Sequence, residues 1–160
     1  MVRAKIHGLA LDVASKSPVV ILATEDSERV LPIWIGHFEA WAIAMELSQI
    51  KSKRPLSHDL MSLIVTELSG KVEKVEVTEL KDQTFYARIL INVNGEAHHI
   101  DARPSDSIAL ALKTDAPIFV NSELFDIKKE QGFPEKINDP DSLKERLRNI
   151  NPEDFGKYSL

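Results

Sequence analysis

The residues best suited to chemistry lie in positions 98–107, HHIDARPSDS. Two carboxylates, Asp101 and Asp106, flank Arg103, and the proline that follows the arginine forces an extended conformation before it. Ser105 is a good helix N-cap, so a helix is expected to begin there. Because a helix N-terminus favours anions and arginine binds phosphate through two hydrogen bonds, we predict that Arg103 and Ser105 bind phosphate.

A second stretch, residues 54–59, RPLSHD, repeats this order of residue types. Arg54 supplies the arginine, and Ser57 is the predicted N-cap of the helix that follows. His58 is a candidate general acid or base, because histidine changes charge near neutral pH. Asp59 is expected either to orient His58 or to bind a metal ion.

The three aspartates suggest a divalent cation. Carboxylate oxygens are the ligands that magnesium and manganese prefer, and phosphodiester hydrolysis commonly uses such ions, so Asp59, Asp101 and Asp106 are the predicted ligands. A purely structural interpretation stands beside this one: Asp101 pairs with Arg103, and Asp106 complements the helix dipole. Glu39, at the start of another predicted helix, either reaches the site or complements its own helix dipole. The residues alone leave both interpretations open.

Similar elements are expected to position both stretches. Alternation of apolar and polar residues predicts a hairpin over residues 4–26 and a third strand over 29–36, where Pro32 favours an edge or a bulge. From Phe38 the apolar spacing predicts an almost wholly buried helix. A second helix is expected from Ser57.

The apolar residues of that second helix are predicted to pack inward, and they are Leu60, Leu63, Ile64 and Leu68. Strands are then predicted over 72–81 and 84–93, followed by an Asn-Gly turn, a strand over 97–103 and a helix over 105–113. Residues 117–125 would add a last strand. The recurrence predicts an α+β fold, a mixed sheet with packed helices, and duplication of a β-β-β-α unit.

Composition sets the class of protein. The 160 residues are 43% hydrophobic, enough for one core, and we assign residues 1–127 to one domain and 128–160 to a charged C-terminal tail with a short helix at 141–150. The net charge of −5 argues against a passive coat on nucleic acid. The absence of cysteine excludes thiolate chemistry, and no apolar run is long enough to cross a bilayer, so we expect a cytoplasmic protein without a membrane partner.

The motifs together resemble a known family. LPIWIGHFEAWAIAMEL, RPLSHDLM, TFYARILI, IDARPSDSIALALK and PIFV follow one another in the order of the bifunctional nuclease domain family. The resemblance covers residues 1 to about 125. It implies an α+β domain and nuclease activity on DNA and RNA. The polar positions that match the family are Glu39, Arg54, His58, Asp59, Asp101, Arg103, Ser105 and Asp106.

Three hypotheses follow for function. In the first, the chain is a nuclease in which the two helix starts meet, the arginines bind the scissile phosphate, the aspartates bind magnesium or manganese, and His58 moves a proton. In the second, it is a non-catalytic regulatory module that binds a small anion or a partner's carboxylate. In the third, the polar motifs are architectural and the domain works by self-association. A homo-oligomer, with a dimer favoured, is expected in any of them.

Overall fold

The structure is a computed structural model that describes residues 1–26, 28–127 and 147–150. These residues form one mixed β-sheet and three α-helices, which confirms the predicted α+β class. The strands are β1 (Val2–Asp12), β2 (Pro18–Thr24), β3 (Val30–Trp34), β4 (Gly70–Lys81), β5 (Thr84–Val93), β6 (Glu96–Ala102), β7 (Ile118–Val120) and β8 (Leu147–Ile150), and the helices are α1 (His37–Leu47), α2 (Ser57–Glu67) and α3 (Pro104–Thr114). A short 3-10 helix, Ser122–Asp126, follows β7.

The sheet joins two antiparallel three-stranded units through β7. The order across the sheet is β3-β2-β1-β7-β4-β5-β6, and only the pair β7–β4 is parallel. Strand β7 pairs with residues 2–4 of β1, and β8 pairs with residues 9–12 of the same strand. Each half runs three strands and then a helix, but this order of elements does not establish a duplication, which stays a prediction.

Turn chemistry explains the two predicted hairpins. Between β1 and β2, an Asp12 carboxylate oxygen accepts the Ala14 N–H at 3.0 Å and so closes the turn. Between β5 and β6, Asn94 and Gly95 have φ angles of 52° and 90°, the left-handed pair that a two-residue hairpin loop requires. Pro32, which lacks an N–H for the ladder, lies in the edge strand β3 as expected.

The core lies between the sheet and the helices. Ile43 of α1 and Ile108 of α3 are fully buried in one cluster with Val20, Val75 and Val77 of the strands. Alanines on the inner sides of α1 and α3 allow the helices to approach each other and the sheet closely. In the described part of the chain, no helix is long and apolar enough to span a bilayer.

The predicted helix caps are wrong by one or two residues. Helix α2 begins at Ser57 itself, and its N-cap is Leu56, whose N–H donates to the Asp59 carboxylate at 2.8 Å. Helix α3 begins at Pro104, so its N-cap is Arg103 and Ser105 is already inside the helix. Proline is favoured at the first helical position because its missing N–H would have no intrahelical partner there.

The inward packing predicted for α2 is also wrong. None of the residues of α2 is buried. Leu60, Leu63 and Ile64 are each about half exposed, and Leu68 immediately after the helix is 67% exposed. The helix contacts α3 and β4 through its other side, where Val65 packs against the core. The helix predicted over 141–150 lies largely outside the described residues, and its last four positions form β8 instead.

Candidate functional site

Four side chains from the starts of all three helices form one chain of hydrogen bonds. His58 Nε2 of α2 lies 3.1 Å from Asp106 Oδ1 of α3. Arg103 donates to Asp106 through Nε at 2.8 Å and through Nη2 at 3.2 Å. Arg103 Nη1 also donates to Glu39 Oε1 of α1 at 2.7 Å. The two helix starts predicted from sequence therefore meet, and Glu39 joins them.

Local backbone geometry explains why these side chains converge. Pro104 at the first position of α3 places Arg103 just before the helix, and Asp106 follows three residues later on the same side. Glu39 folds back over Gly36, where a Cβ atom would stand only 2.1 Å from Glu39 Oε2. Glycine at position 36 thus leaves room for the glutamate to turn toward Arg103.

The charges of this network fix the state of Asp106. Burial raises the pKa of the Asp106 carboxyl, but the hydrogen bonds from Arg103 and His58 outweigh burial, and the net pKa lies below the ordinary aspartate value. Asp106 is therefore an anion at neutral pH. Because it accepts from the imidazole, its carboxylate selects which nitrogen of His58 carries the proton.

A second cluster joins α1, α2 and α3 next to this network. Lys113 Nζ lies 2.5 Å from Asp59 Oδ1 and also forms an ion pair with Glu46. Burial lowers the pKa of Lys113, but the two carboxylates raise it more, so its net pKa is above the ordinary lysine value. The Lys113 ammonium in turn holds the pKa of Asp59 below the ordinary value, against the effect of burial. Lys113 and Asp59 are therefore both charged at neutral pH.

A cavity of about 460 Å³ opens beside both clusters. His58, Asp59 and Lys113 line one side, and aliphatic side chains of α1 and α2 line another. Lys51 and Lys53, from the loop before α2, also line it. In the described part of the chain neither lysine forms an ion pair, so both ammonium groups are available to an anion in this cavity. The arrangement combines an oriented imidazole, free positive charge and an apolar wall.

Three of the predicted site residues lie elsewhere. Asp101 is exposed on β6, where it stands opposite Arg88 of β5 in the strand ladder. Arg54 is exposed in the loop before α2 and does not line the cavity. Ser105 is only 6% exposed, because it faces inward from the first turn of α3. The structure thus brings together four of the predicted residues, Glu39, His58, Arg103 and Asp106, and Asp59 lies next to His58 in the lining of the cavity.

The predicted metal ligands do not converge. Asp59 is paired with Lys113, Asp106 is paired with Arg103 and His58, and Asp101 lies on a different element from both. Among the described residues, no group of three or more histidine, aspartate or glutamate side chains is arranged to hold a metal ion. These residues therefore do not fit a resident divalent cation in this arrangement, and we assign it no step.

Sequence reasoning missed Lys113 and Glu46. Lys113 was not singled out, although it follows Asp106 by seven residues, two turns of α3, and so lies on the same side of the helix. Glu46 follows Glu39 by the same interval on α1. The signal that could have paired the two helices is the match of charge at their ends: the glutamates of α1 face two cations of α3, Arg103 at its start and Lys113 in its last turn.

Comparison with known proteins identifies the family. The family model described as the bifunctional nuclease domain matches residues 20–131, which is more than half of the chain and includes every residue of both clusters. The chain belongs to the bifunctional nuclease domain family. The resemblance seen in the sequence motifs is therefore confirmed, and the His58–Asp106–Arg103–Glu39 network lies within the bifunctional nuclease domain.

Relatives of two kinds share this domain. An uncharacterized protein of Mycobacterium tuberculosis (strain ATCC 25618 / H37Rv) is 31% identical over 160 residues, which cover 94% of this chain and 96% of the relative. Bifunctional nuclease 1 of Arabidopsis thaliana is 26% identical over 111 residues, 67% of this chain and 34% of the plant protein. A bifunctional nuclease of Oryza minuta is 25% identical over 116 residues, 71% of this chain and 35% of its own length. The plant proteins are thus matched over about a third of their length.

Proposed function

We propose that this bifunctional nuclease domain hydrolyses phosphodiester bonds in DNA or RNA and that His58 is the residue that moves the proton. The observation that carries the proposal is the contact between His58 Nε2 and the Asp106 carboxylate at the wall of a cavity. An imidazole oriented by a carboxylate is a common general base in hydrolysis. The relatives named bifunctional nucleases support the choice of reaction, because they share this domain.

The hydrogen bond to Asp106 determines how His58 acts. With its proton on Nε2, donated to Asp106, the imidazole keeps the Nδ1 lone pair for another partner, and no protein group is bonded to Nδ1 in the described part of the chain. Nδ1 takes a proton from a water molecule as the water oxygen attacks phosphorus. The bond from phosphorus to the leaving oxygen then breaks, and the imidazolium returns the proton to that oxygen.

The cavity lysines are the groups that hold the phosphate in this mechanism. Lys51 and Lys53 are unpaired within the described residues, whereas Arg103 and Lys113 are already neutralised by carboxylates. Phosphate contact by the free lysines adds positive charge where negative charge develops during hydrolysis. Arg103, predicted from sequence to bind phosphate, is better placed to position Asp106, and its pKa is raised chiefly by the hydrogen bond to that carboxylate.

One observation favours a second candidate, a non-catalytic module that binds anions. The two clusters are closed sets of ion pairs, and the chain as a whole has a net charge of −5, which opposes tight binding of long nucleic acids. A small anion, held by Lys51 and Lys53 without cleavage, is the ligand that this candidate requires.

The deciding experiment compares two histidine variants of purified full-length protein. His58→Gln removes the proposed base, and His99→Gln removes an exposed histidine of β6 as a matched control. Labelled single-stranded DNA and RNA are incubated with each protein in magnesium, manganese or chelator. We expect the control to cleave like the wild type and His58→Gln to lose at least about a hundredfold in rate, the usual contribution of general base catalysis.

Three outcomes would count against the proposal. Equal residual cleavage by all three proteins identifies a contaminant. Full activity of His58→Gln removes His58 from the mechanism. Absence of cleavage together with thermal stabilisation by inorganic phosphate or mononucleotides supports the binding module, because a ligand that binds only the folded state raises its stability.

A further inference from the structure

We infer that α2 is the centre of an interface between two copies of this chain, which pack these helices antiparallel about a twofold axis at Ile64. Leu60, Ile64 and Leu68 follow one another at intervals of four residues and form a stripe along one side of α2. They are 53%, 50% and 67% exposed, and Met61 beside them is 43% exposed. We call these four residues the α2 stripe.

The α2 stripe is unusual for the surface of a monomer. A helix on the surface of a globular domain normally turns its apolar side to the core, yet α2 has no buried residue. Four apolar side chains that are between 43% and 67% exposed present apolar surface on the order of 400 Å², a size at which patches are often functional. The stripe is therefore one continuous patch and not a set of scattered exposed leucines.

The order of residues in the stripe identifies the partner as a second copy. Leu60 and Leu68 are the same residue type at equal distances from Ile64, so the row of these three residues, without Met61, reads identically in both directions. In a twofold antiparallel pair, Leu60 packs against Leu68 of the other copy and Ile64 packs against itself. An interface of this symmetry needs a surface that matches itself after a half-turn, and the order Leu60, Ile64, Leu68 meets this requirement.

Charge supports the same partner. The chain has a net charge of −5, so two copies repel each other at long range. The α2 stripe contains no charged side chain, which makes it a surface where two acidic copies can meet without opposing charges. A standard interface buries about 800 Å² per partner, so the stripe supplies roughly half and the adjoining surfaces of α2 supply the rim.

The test is the oligomeric state of the full-length chain over a dilution series, measured by sedimentation. Ile64→Lys places two ammonium groups against each other at the twofold axis. Ile100→Lys makes the same substitution at an isoleucine of β6 that is 46% exposed and outside the stripe. We expect wild type and Ile100→Lys to have twice the mass of one chain and Ile64→Lys to have the mass of one, with unchanged far-UV circular dichroism in all three.

A crosslinking experiment adds a direct measure of proximity. Because the chain has no cysteine, Ile64→Cys and Ile100→Cys each introduce a single thiol. We expect a short bis-maleimide to join two copies through position 64 and not through position 100. A wild-type chain that is monomeric at every concentration overturns the inference. A dimer that survives Ile64→Lys, or one that only Ile100→Lys dissociates, also overturns it, and the latter moves the interface to the β6 edge.

Discussion

Asp106 is the residue on which the contacts at the two helix starts converge, because its carboxylate accepts hydrogen bonds from Arg103 and contacts His58. Its pKa is lowered although burial opposes the lowering. A carboxyl group whose pKa is lower in the folded state stabilises the fold fully above its unfolded pKa, about 3.9 for aspartate. That stabilisation disappears as the pH falls through the folded pKa.

We therefore predict that Asp106→Asn flattens the dependence of stability on pH. The wild type loses free energy of unfolding as the pH falls from about 5 to below 3.9, partly because Asp106 must bind a proton on unfolding. The variant has no carboxyl group at this position to protonate. Its free energy of unfolding therefore falls less over the same pH range. Urea unfolding at a series of pH values measures both slopes.

The control for this prediction removes a negative charge outside the network. Asp101→Asn does so on exposed β6. We expect Asp106→Asn to have a smaller slope than Asp101→Asn. Equal slopes in the two variants would show that the Arg103 and His58 contacts of Asp106 are not linked to folding.

At the scale of elements, Lys113 joins the three helices, because it bonds to Asp59 of α2 and Glu46 of α1 from the last turn of α3. Each of the three side chains is less than a quarter exposed. A charged group at such a position costs free energy when it has no partner, because little water reaches it to solvate the charge. The position of α2, which buries no residue of its own, therefore depends strongly on this lysine.

Lys113→Met is predicted to destabilise the domain by about 2 kcal/mol, because it leaves two partly buried carboxylates without their cation. Chemical denaturation measures the loss. Lys113→Arg keeps the charge and should retain most of the stability. The triple variant Lys113→Met, Glu46→Gln, Asp59→Asn should recover part of the loss, and no recovery would mean that the cost is packing rather than unpaired charge.

The positions of the strands and helices were largely predictable from the sequence. Which apolar sides the rest of the chain covers was not. Alternation and turn residues such as Asn94 and Gly95 act locally, so they predict strands and hairpins from neighbouring positions alone. The spacing of Leu60 and Ile64 correctly indicates an apolar side of α2. It contains no information on whether the same chain covers that side, and here the chain leaves it half exposed.

In the candidate site, too, local features were predictable from the sequence and contacts between distant elements were not. The two helix starts, with His58 and Asp106, were predictable because proline, serine and aspartate mark such starts in any sequence. Their meeting at 3.1 Å was only a hypothesis, since it depends on how α2 crosses α3. The sequence could not show that Asp101 lies outside the cluster. It is only five residues before Asp106, but it belongs to a strand and Asp106 to the following helix, and the two side chains point in different directions.

At the scale of the whole molecule, β7 holds the two halves of the sheet together. Val120 of β7 is fully buried and stands opposite Val2 of β1 on one side and Val77 of β4 on the other. The hairpins of each half pair residues close in the sequence. The pairs made by β7 with β1 join residues more than a hundred positions apart, so they are expected to form after the hairpins.

We predict that Val120→Ala costs about 2 kcal/mol, as for other truncations of buried aliphatic side chains, and that most of the loss appears as faster unfolding. Stopped-flow folding and unfolding measure the two rates. Val20→Ala removes the same atoms at an equally buried position within the β1–β2 hairpin, on a strand that does not pair with β7, and should slow folding instead. A slower folding rate in Val120→Ala would place β7 docking in the rate-limiting step.

The late position of β7 in the chain has a consequence during protein synthesis. Strand β1 is complete at residue 12, but its partner for residues 2–4 starts only at residue 118. At the roughly 5–20 residues per second of translation, this stretch of backbone waits on the order of ten seconds for its partner, with unpaired N–H and C=O groups. During that interval nascent chains on neighbouring ribosomes can pair their first strands with each other through these groups.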